Sequence, residues 1–119
     1  MITWPISAIL LLLFGSHAID AMEGAYMYRK AKPEAWKCLL SAGKEFAIVR
    51  LWQKTGYLDS VGFANLKEAR DAGFDDIDGL FSPCLKTNCA SVENQVEAAI
   101  NQLKNQKAFV GIFWIDAWD

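Results

Sequence analysis

The sequence has a single histidine, and its position removes most histidine chemistry from consideration. His17 follows an unbroken apolar run, Ala8–Phe14, and stands between the small residues Ser16 and Ala18. This arrangement is typical of a secretory signal peptide, and the run is shorter than the roughly 20 apolar residues that span a bilayer. If residues 1–18 leave, the mature chain has no imidazole for a serine triad, a haem or a histidine-based zinc site.

Basic residues in front of the apolar run are also lacking, so a buried first strand is the alternative to a signal peptide. Cleavage after Ala18 would make Ile19 the first mature residue, and the cleavage site itself stays open. On the signal-peptide interpretation we expect a secreted, extracellular protein with no membrane partner once the signal is removed.

Positive charge is too scarce for nucleic acid recognition. The chain has 12 lysines and arginines against 14 acidic residues, a formal net charge of −2. Nucleic acid binding needs a basic patch, so we expect no such partner. No glycine-rich phosphate loop opens a predicted helix, and we expect no cofactor.

Cysteine is scarce as well, with three in the chain. Cys84 and Cys89 bracket a short loop, and an oxidising compartment favours a disulfide between them over two free thiols. Cys38 is then a buried free thiol, or its partner lies in sequence that this chain lacks. These three spacings match no usual zinc pattern, so we expect no metal.

What the sequence does have is an alternation of helix and strand patterns. Helices are expected from Pro33 to Gly43, from Asp59 or Ser60 to Gly73, and from a capping Ser91. Apolar runs typical of buried strands lie between them. These strands are expected at Ala18–Met22, Phe46–Trp52, Ile77–Phe81 and Phe109–Ile115.

Such alternation indicates an α/β fold of βαβ units with a parallel sheet. The third helix is expected to bury one apolar stripe, formed by Val92, Val96, Ile100 and Leu103. On pattern alone a small flavodoxin-like sheet stays possible.

Three aspartates, Asp20, Asp78 and Asp116, fall within or at the end of different predicted strands. Parallel β/α folds place their chemistry at the carboxyl ends of strands, so these carboxylates are expected to share one cleft. Neighbouring carboxylates acquire separated pKa values, as glycoside cleavage requires. Alternatively, these acids cap helices and accept hydrogen bonds from loop amides.

Aromatic and cationic side chains accompany the acids. Trp52, Trp114 and Trp118 would suit the apolar faces of sugar rings, although tryptophans in a sheet commonly belong to the core. Arg50 interrupts an apolar strand and needs a buried partner such as one of the acids. A structural ion pair and a substrate contact are both open for it.

Several short motifs follow one another in a recognisable order and spacing. They are Ala18-Ile19-Asp20, Phe46-Ala47-Ile48-Val49-Arg50, Tyr57-Leu58-Asp59 with Asn65 and Ala72-Gly73, Asp76–Cys84 followed by Cys89, Ser91 and Gln95-Val96, and Phe113-Trp114-Ile115-Asp116. Together they resemble glycoside hydrolase family 25, the Chalaropsis-type lysozymes. The stretch from Asp76 onwards is similar to the animal lysozyme-like branch.

The resemblance implies a TIM-like β/α barrel, with residues 19–119 as its N-terminal half, that hydrolyses the β-1,4 bond between N-acetylmuramic acid and N-acetylglucosamine in peptidoglycan. It assigns Asp20 and Asp116 as catalytic acids, Asp116 being the aspartate of the family's Asp-x-Glu motif. Asp78 matches an acid of the third strand. The candidate substrate contacts are Asp78, Arg50, Trp52 and Trp118.

Two departures from the family pattern bear on activity. The catalytic glutamate position holds Trp118, whose indole donates no proton to a glycosidic oxygen, and Asp119 should face away because strand residues alternate. The family domain is also roughly twice as long, so a partial barrel would expose strand edges that another chain, in an oligomer, would cover.

We therefore expect a lysozyme-like protein that acts weakly or not at all on peptidoglycan or a related amino-sugar polymer. The alternatives are a non-catalytic glycan-binding protein and a truncated gene product without independent function.

Overall fold

The computed structural model describes residues 21–116. The expected signal peptide, Asp20 and Trp118 lie outside this range. The division of the chain at residue 18 therefore stays a prediction.

Four strands and three helices alternate along the described chain. In order they are β1 (Gly24–Met27), α1 (Pro33–Ser41), β2 (Phe46–Trp52), α2 (Ser60–Ala72), β3 (Asp76–Phe81), α3 (Val92–Asn105) and β4 (Phe113–Ile115). The strands form one sheet in the order β1-β2-β3-β4, and every neighbouring pair is parallel. The α/β prediction is confirmed as a partial β/α fold, and the four strands do not close into a barrel.

The helices begin where the sequence predicts. Pro33 opens α1, the Asp59 carboxylate accepts from the Gly62 N–H at 3.2 Å, and the Ser91 hydroxyl accepts from the Asn94 N–H at 3.2 Å. Each cap satisfies a backbone N–H that has no partner within the helix.

The helices end in left-handed residues, which lets the last carbonyls accept hydrogen bonds from the following amides. Gly43 after α1 and Gly73 after α2 take φ of +86° and +119°. Lys107 after α3 takes φ of +51°, so a residue with a β-carbon adopts the conformation that glycine takes without strain.

The outer strands differ from the predictions. Ala21 and Met22 are not in a strand, and β1 begins at Gly24, where it pairs with Phe46. At the other edge β4 covers three residues rather than Phe109–Ile115. The Ile112 N–H donates to the Asp78 carboxylate at 2.9 Å instead of to a strand carbonyl, so a side chain takes the place of the ladder there.

The hydrophobic core lies between the helices and one face of the sheet. Alternate residues of β2 and β3 point into it and meet Trp36 of α1 and the apolar side of α2. Trp36 packs edge-on against Phe74 with ring centroids 5.7 Å apart. Its indole N–H is the buried side-chain polar atom without a partner in residues 21–116, at a cost of about 1–3 kcal/mol.

Helix α3 is rotated relative to the expected stripe. Its buried residues are Gln95, Ala99 and Leu103, whereas Val92 and Ile100 are exposed. Only Leu103 of the stripe is fully buried, so that prediction is wrong in large part. The rotation has a polar cause, because Gln95 satisfies buried groups that an apolar residue would leave unpaired.

Gln95 is a buried amide that joins three segments. Its Oε1 accepts from the Trp52 indole N–H at 3.0 Å and the Cys84 N–H at 2.9 Å. Its Nε2 donates to the carbonyls of Cys84 at 3.0 Å and Ala90 at 2.8 Å. All four hydrogen bonds of the Gln95 side chain therefore go to Trp52 and to the loop after β3.

The same loop contains the predicted disulfide between Cys84 and Cys89, which the structure confirms. Cys38 lies on the exposed side of α1, so the expectation of a buried thiol is wrong. Within residues 21–116, the helices fall short of the length and apolarity that a membrane span requires.

Gln95→Leu should lower the free energy of unfolding by about 3 kcal/mol, because the Trp52 N–H and both backbone groups of Cys84 become buried and unpaired. Urea unfolding measures the loss. Gln102→Leu, the same change on a less buried position of α3, should stay within about 0.5 kcal/mol. Equal effects would contradict the role of Gln95.

Lys107→Gly should raise the free energy of unfolding by up to about 1 kcal/mol, because glycine adopts the left-handed conformation without strain. Thermal unfolding should show a higher midpoint. Gln106→Gly, one residue earlier with φ of −87°, should instead be destabilising. A lower midpoint for Lys107→Gly would contradict the strain.

Candidate functional site

The sheet has a second face that no helix in residues 21–116 covers, which we call the open face. Because strand residues alternate, its side chains come from every second position. Neighbouring strands bring Tyr26, Ile48 and Asp78 to one level and Arg50, Leu80 and Trp114 to the next. The carboxyl ends of the strands lie beyond the second level.

Asp78 lies within β3 rather than at its carboxyl end. It is 8% exposed, its Oδ1 accepts from the Ile112 N–H and its Oδ2 accepts from the Trp114 indole N–H, both at 2.9 Å. Gly111 makes room for it, since a β-carbon there would lie 3.1 Å from Oδ1. Both carboxylate oxygens therefore fasten the edge segment to the sheet.

The strand register separates Asp78 from Asp116. Leu80 is level with Trp114, so Asp116 lies four residues further along the strand direction than Asp78, about 13 Å. The expectation that these two carboxylates share one cleft stays a prediction. The assignment of Asp78 as a substrate contact also stays a prediction, and Asp20 lies outside the described residues.

Arg50 has the buried partner that the sequence required, but it is Asp59. The Arg50 Nε donates to Asp59 Oδ2 at 2.8 Å, and the Asp59 side chain is buried. Gly62 permits this approach, because a β-carbon there would lie 1.5 Å from the Arg50 carbonyl oxygen. The ion-pair alternative is confirmed, and a substrate contact by the remaining guanidinium nitrogens stays a prediction.

The described tryptophans lie in different surroundings. Trp52 is buried, stacks on Phe81 at 5.8 Å and donates its N–H to Gln95. It belongs to the core and, as placed, presents no ring face to a ligand. Trp114 is 47% exposed on the open face, although its N–H is occupied by Asp78. Trp118 lies outside the described range.

Two tyrosines of the open face were not singled out by sequence reasoning. Tyr26 of β1 and Tyr28 just after it stack with centroids 5.9 Å apart and planes 29° from parallel. The guanidinium carbons of Arg29 and Arg50 lie 5.5 Å and 5.8 Å from the Tyr28 ring centroid. The alternating Tyr-x-Tyr pattern was the available signal, but the strand was expected at Ala18–Met22, before both tyrosines.

The electrostatics of Tyr26 connect this cluster with Asp116. Burial raises the pKa of the Tyr26 phenol, and the nearby charges of Asp116 and Asp59 raise it further, whereas Arg50 opposes them. The phenol therefore stays protonated at neutral pH and can donate a hydrogen bond.

Asp116 follows β4 directly. Its backbone N–H donates to the Phe81 carbonyl at 2.8 Å, which continues the pairing with β3 past the last strand residue. Its carboxylate thus lies at the carboxyl end of the sheet, as the sequence predicts, in the electrostatic range of Tyr26.

Among residues 21–116, no group of three or more histidine, cysteine or acidic side chains is arranged to hold a metal ion.

Comparison with known proteins gives a consistent answer. The sequence model of the family described as lysozyme-like protein 1 matches residues 18–118. Lysozyme-like protein 5 of Caenorhabditis elegans is 37% identical over 108 residues, which cover 91% of this chain and 50% of that protein.

Two proteins of Dictyostelium discoideum extend the comparison. Probable GH family 25 lysozyme 2 is 35% identical over 82% of this chain and 45% of its own length. Probable GH family 25 lysozyme 4 is 34% identical over 87% of this chain and 47% of its own length. No solved structure matches.

The chain spans about half the length of the curated relatives it matches. The family match covers all of the described residues together with Asp20 and Trp118. The chain therefore belongs to the lysozyme-like proteins of the glycoside hydrolase family 25 type.

Proposed function

We propose that this protein is secreted, binds an amino-sugar polymer of the peptidoglycan kind at the open face, and hydrolyses it weakly or not at all. Family membership supports the substrate class. The hydrogen bonds that Asp59 and Asp78 make within the protein support impaired hydrolysis.

Glycoside hydrolysis in this class of enzyme uses two carboxyl groups, one of which supplies a proton to the leaving oxygen. Asp78 and Asp59 each use both carboxylate oxygens for bonds within the protein. The position two residues after Asp116, where a strand residue would share its face, holds Trp118. The observation that carries the proposal is thus the engagement of both oxygens of Asp78 and Asp59 within the protein, together with a tryptophan at the family's glutamate position.

Asp116 retains a role that needs no proton transfer. A carboxylate at the carboxyl end of the sheet stabilises the positive charge that develops on a sugar ring during bond cleavage. The neutral phenol of Tyr26, whose pKa is raised by burial and by the charge of Asp116, is a hydrogen-bond donor on the same face. Such a site favours sugar binding but lacks the acid that releases the leaving group.

A purely glycan-binding protein is the second candidate, and one observation favours it. Tyr26, Tyr28 and Trp114 are each about half exposed on the same face. Exposed aromatic faces pack well against the apolar faces of pyranose rings.

In a peptidoglycan dye-release assay, the wild-type chain should be at least about 100-fold slower than a full-length relative of the family, because a general acid contributes about two to four orders of magnitude. Trp118→Glu should raise the rate by a similar factor, whereas the matched Trp118→Gln should not. Asp116→Asn should remove any rate that remains.

Two outcomes would count against the impaired site. Wild-type turnover comparable with that of the full-length relative would contradict the missing acid. An unchanged rate in Trp118→Glu would show that Trp118 is not the limiting defect. Retention of wild-type protein on insoluble peptidoglycan without dye release would favour the second candidate.

Secretion is tested by expressing the complete sequence in eukaryotic cells and determining the N-terminus of protein in the medium. We expect Ile19 as the first residue, because the small side chains at Ser16 and Ala18 suit signal peptidase. Ala18→Arg should block or displace cleavage. Protein that stays in the cell with Met1 intact would contradict the proposal.

A further inference from the structure

The side of the molecule at β4 is apolar, and no element in residues 21–116 covers it. Strand β4 is an edge of the sheet, since β3 is its one neighbour among the described strands. Ile112, Trp114 and Ile115 are 50%, 47% and 59% exposed there. Proteins commonly protect such an edge with lysine or proline, and Phe113–Asp116 contains neither. An unprotected apolar edge of this kind can pair with another strand.

The backbone of β4 offers a defined set of hydrogen-bonding groups to such a strand. The Ile112 carbonyl and the Asp116 N–H both bond to β3, at 2.9 Å and 2.8 Å. Successive strand residues direct their backbone groups to opposite neighbours. The N–H and C=O groups of Phe113 and Ile115 therefore point away from β3, towards the free edge.

One side of α3 belongs to the same surface. The helix lies over β3 and β4, where Ala99 is buried against Phe81 and Phe113 packs beside them. Crossovers between parallel strands are right-handed, so residues clockwise from the buried side, seen from the helix N-terminus, point towards the β4 edge. At about 100° per residue, Val96 and Ile100 lie on that side. We call β4 and this side of α3 the β4 flank.

Charged residues border the apolar residues of α3 in a defined order. Glu93 lies in the first turn of the helix, Glu97 one turn later and Lys104 in the last turn, all on the surface groove that contains Ile100. None of these three charges forms an ion pair within residues 21–116. The β4 flank is therefore acidic at one end of the helix and basic at the other.

We propose that a second copy of this chain docks on the β4 flank, with β4 antiparallel to β4 and α3 antiparallel to α3 about one two-fold axis perpendicular to the sheet. A surface that is acidic at one end and basic at the other complements itself when two copies run antiparallel. The two-fold axis makes the strand and helix contacts together, because both copies present the same surface. The open faces of both copies remain uncovered on one side of the joined sheet.

The free backbone groups determine the register of the strand pairing. With Trp114 opposite its counterpart, Phe113 lies opposite Ile115 of the partner subunit, and each such pair exchanges two hydrogen bonds. In this register all four free groups of each copy are bonded. The two Trp114 side chains then form a cross-strand aromatic pair on the open face, which adds to the stability of the pairing.

The helices reach contact distance in the same arrangement. Because α3 lies over β3 and β4, its axis is separated from that of the second copy by about two strand spacings, roughly 10 Å. Packed helices lie about 8–10 Å apart. Ala99 contacts Phe81, which is next to the level of Trp114 on the sheet, so the two-fold axis passes near the middle of α3. Lys104 then lies between the levels of Glu93 and Glu97 of the partner subunit.

The mass of the complete chain in solution tests the dimer. Sedimentation equilibrium at neutral pH should give twice the mass of one chain at about 100 μM, because an interface of one strand and one helix is small and of modest affinity. A mass that stays at one chain up to about 1 mM would overturn the proposal.

Charge reversal makes the test specific to the β4 flank. Lys104→Glu places like charges at both helix contacts of the dimer, and Glu93→Lys/Glu97→Lys does the same with the opposite sign. Each variant alone should dimerise at least about ten-fold more weakly than the wild type. An equimolar mixture of the two variants should form heterodimers with about wild-type affinity, because both helix contacts then join opposite charges.

A cysteine pair tests the strand register, in a Cys38→Ser background that removes the exposed free thiol. Trp114→Cys should form an intermolecular disulfide on mild oxidation, because residues facing each other at this position have Cα atoms about 4.5 Å apart. Ile115→Cys is the matched control. Its Cα would lie about 8 Å from its counterpart, further than a disulfide spans.

Lys67→Glu on α2 is the charge control and should leave dimerisation unchanged. Circular dichroism confirms that each variant is folded, and the charge reversals, all at exposed positions, keep the test decisive if Trp114→Cys does not fold. A variant mixture that forms no heterodimers, or a disulfide through Ile115→Cys but not through Trp114→Cys, would overturn the arrangement. The dimer does not require sugar binding, so none of these outcomes bears on the proposed function.

Discussion

The open face takes its form from the close approach of α2 to β2 at the Asp59–Arg50 pair. One carboxylate oxygen of Asp59 caps the helix, and the other accepts from the Arg50 Nε. The helix reaches this position only because residue 62 has no side chain to meet the Arg50 carbonyl. Cap, ion pair and glycine thus form one constraint, since all three depend on the same position of the helix relative to the strand. The Asp59 side chain is buried and Arg50 is partly exposed, so removal of Arg50 would leave a buried carboxylate oxygen without this charged donor.

Arg50 connects this contact between α2 and β2 to the open face. Its guanidinium, fixed by Asp59, lies 5.8 Å from the Tyr28 ring centroid, and Asn65 of the same helix fixes the loop that holds Tyr28. Helix α2 therefore positions Tyr28 and its surroundings by two contacts, the Asp59–Arg50 ion pair and the buried Asn65 amide. Gln95 of α3 performs the corresponding task for the loop after β3. Helix α2 thus holds the loop after β1, whereas α3 holds the loop after β3, the strand that directly precedes it.

The sequence predicted the features that depend on local chemistry. Proline, aspartate, serine and glycine mark helix ends through backbone hydrogen bonds and allowed dihedral angles, and the observed ends of α1 and α2 agree. The observed bounds of the two central strands agree closely with the prediction, because a continuous apolar run is typical of a central strand in a parallel sheet. The disulfide between Cys84 and Cys89 was predictable for the same reason, because the two cysteines lie five residues apart.

Features that depend on non-local pairing were not predictable in the same way. The sequence predicted the first strand at the apolar segment Ala18–Met22. Within the described residues β1 is the less apolar Gly24–Met27, in which no residue is buried. The stripe on α3 failed because a buried glutamine, with its polar partners on two other segments, outweighed the greater hydrophobicity of Val92 and Ile100. The position of Arg50 in an apolar strand predicted an acidic partner, but sequence spacing alone did not identify Asp59 as that partner.

The positions and hydrogen bonds of the acidic residues bear differently on sugar binding and on hydrolysis. Asp78 stands on the strand where the resemblance places it, yet both of its oxygens hold the β4 edge, so its charge serves structure in this chain. Sugar binding depends on aromatic faces and hydrogen-bond donors, and these persist on the open face when a proton donor is absent. Hydrolysis depends on a pair of carboxyl groups at a defined separation. On the proposed function, the tryptophan at residue 118 removes the second requirement and leaves the first intact, so loss of catalysis and retention of a glycan-binding surface are compatible with one fold.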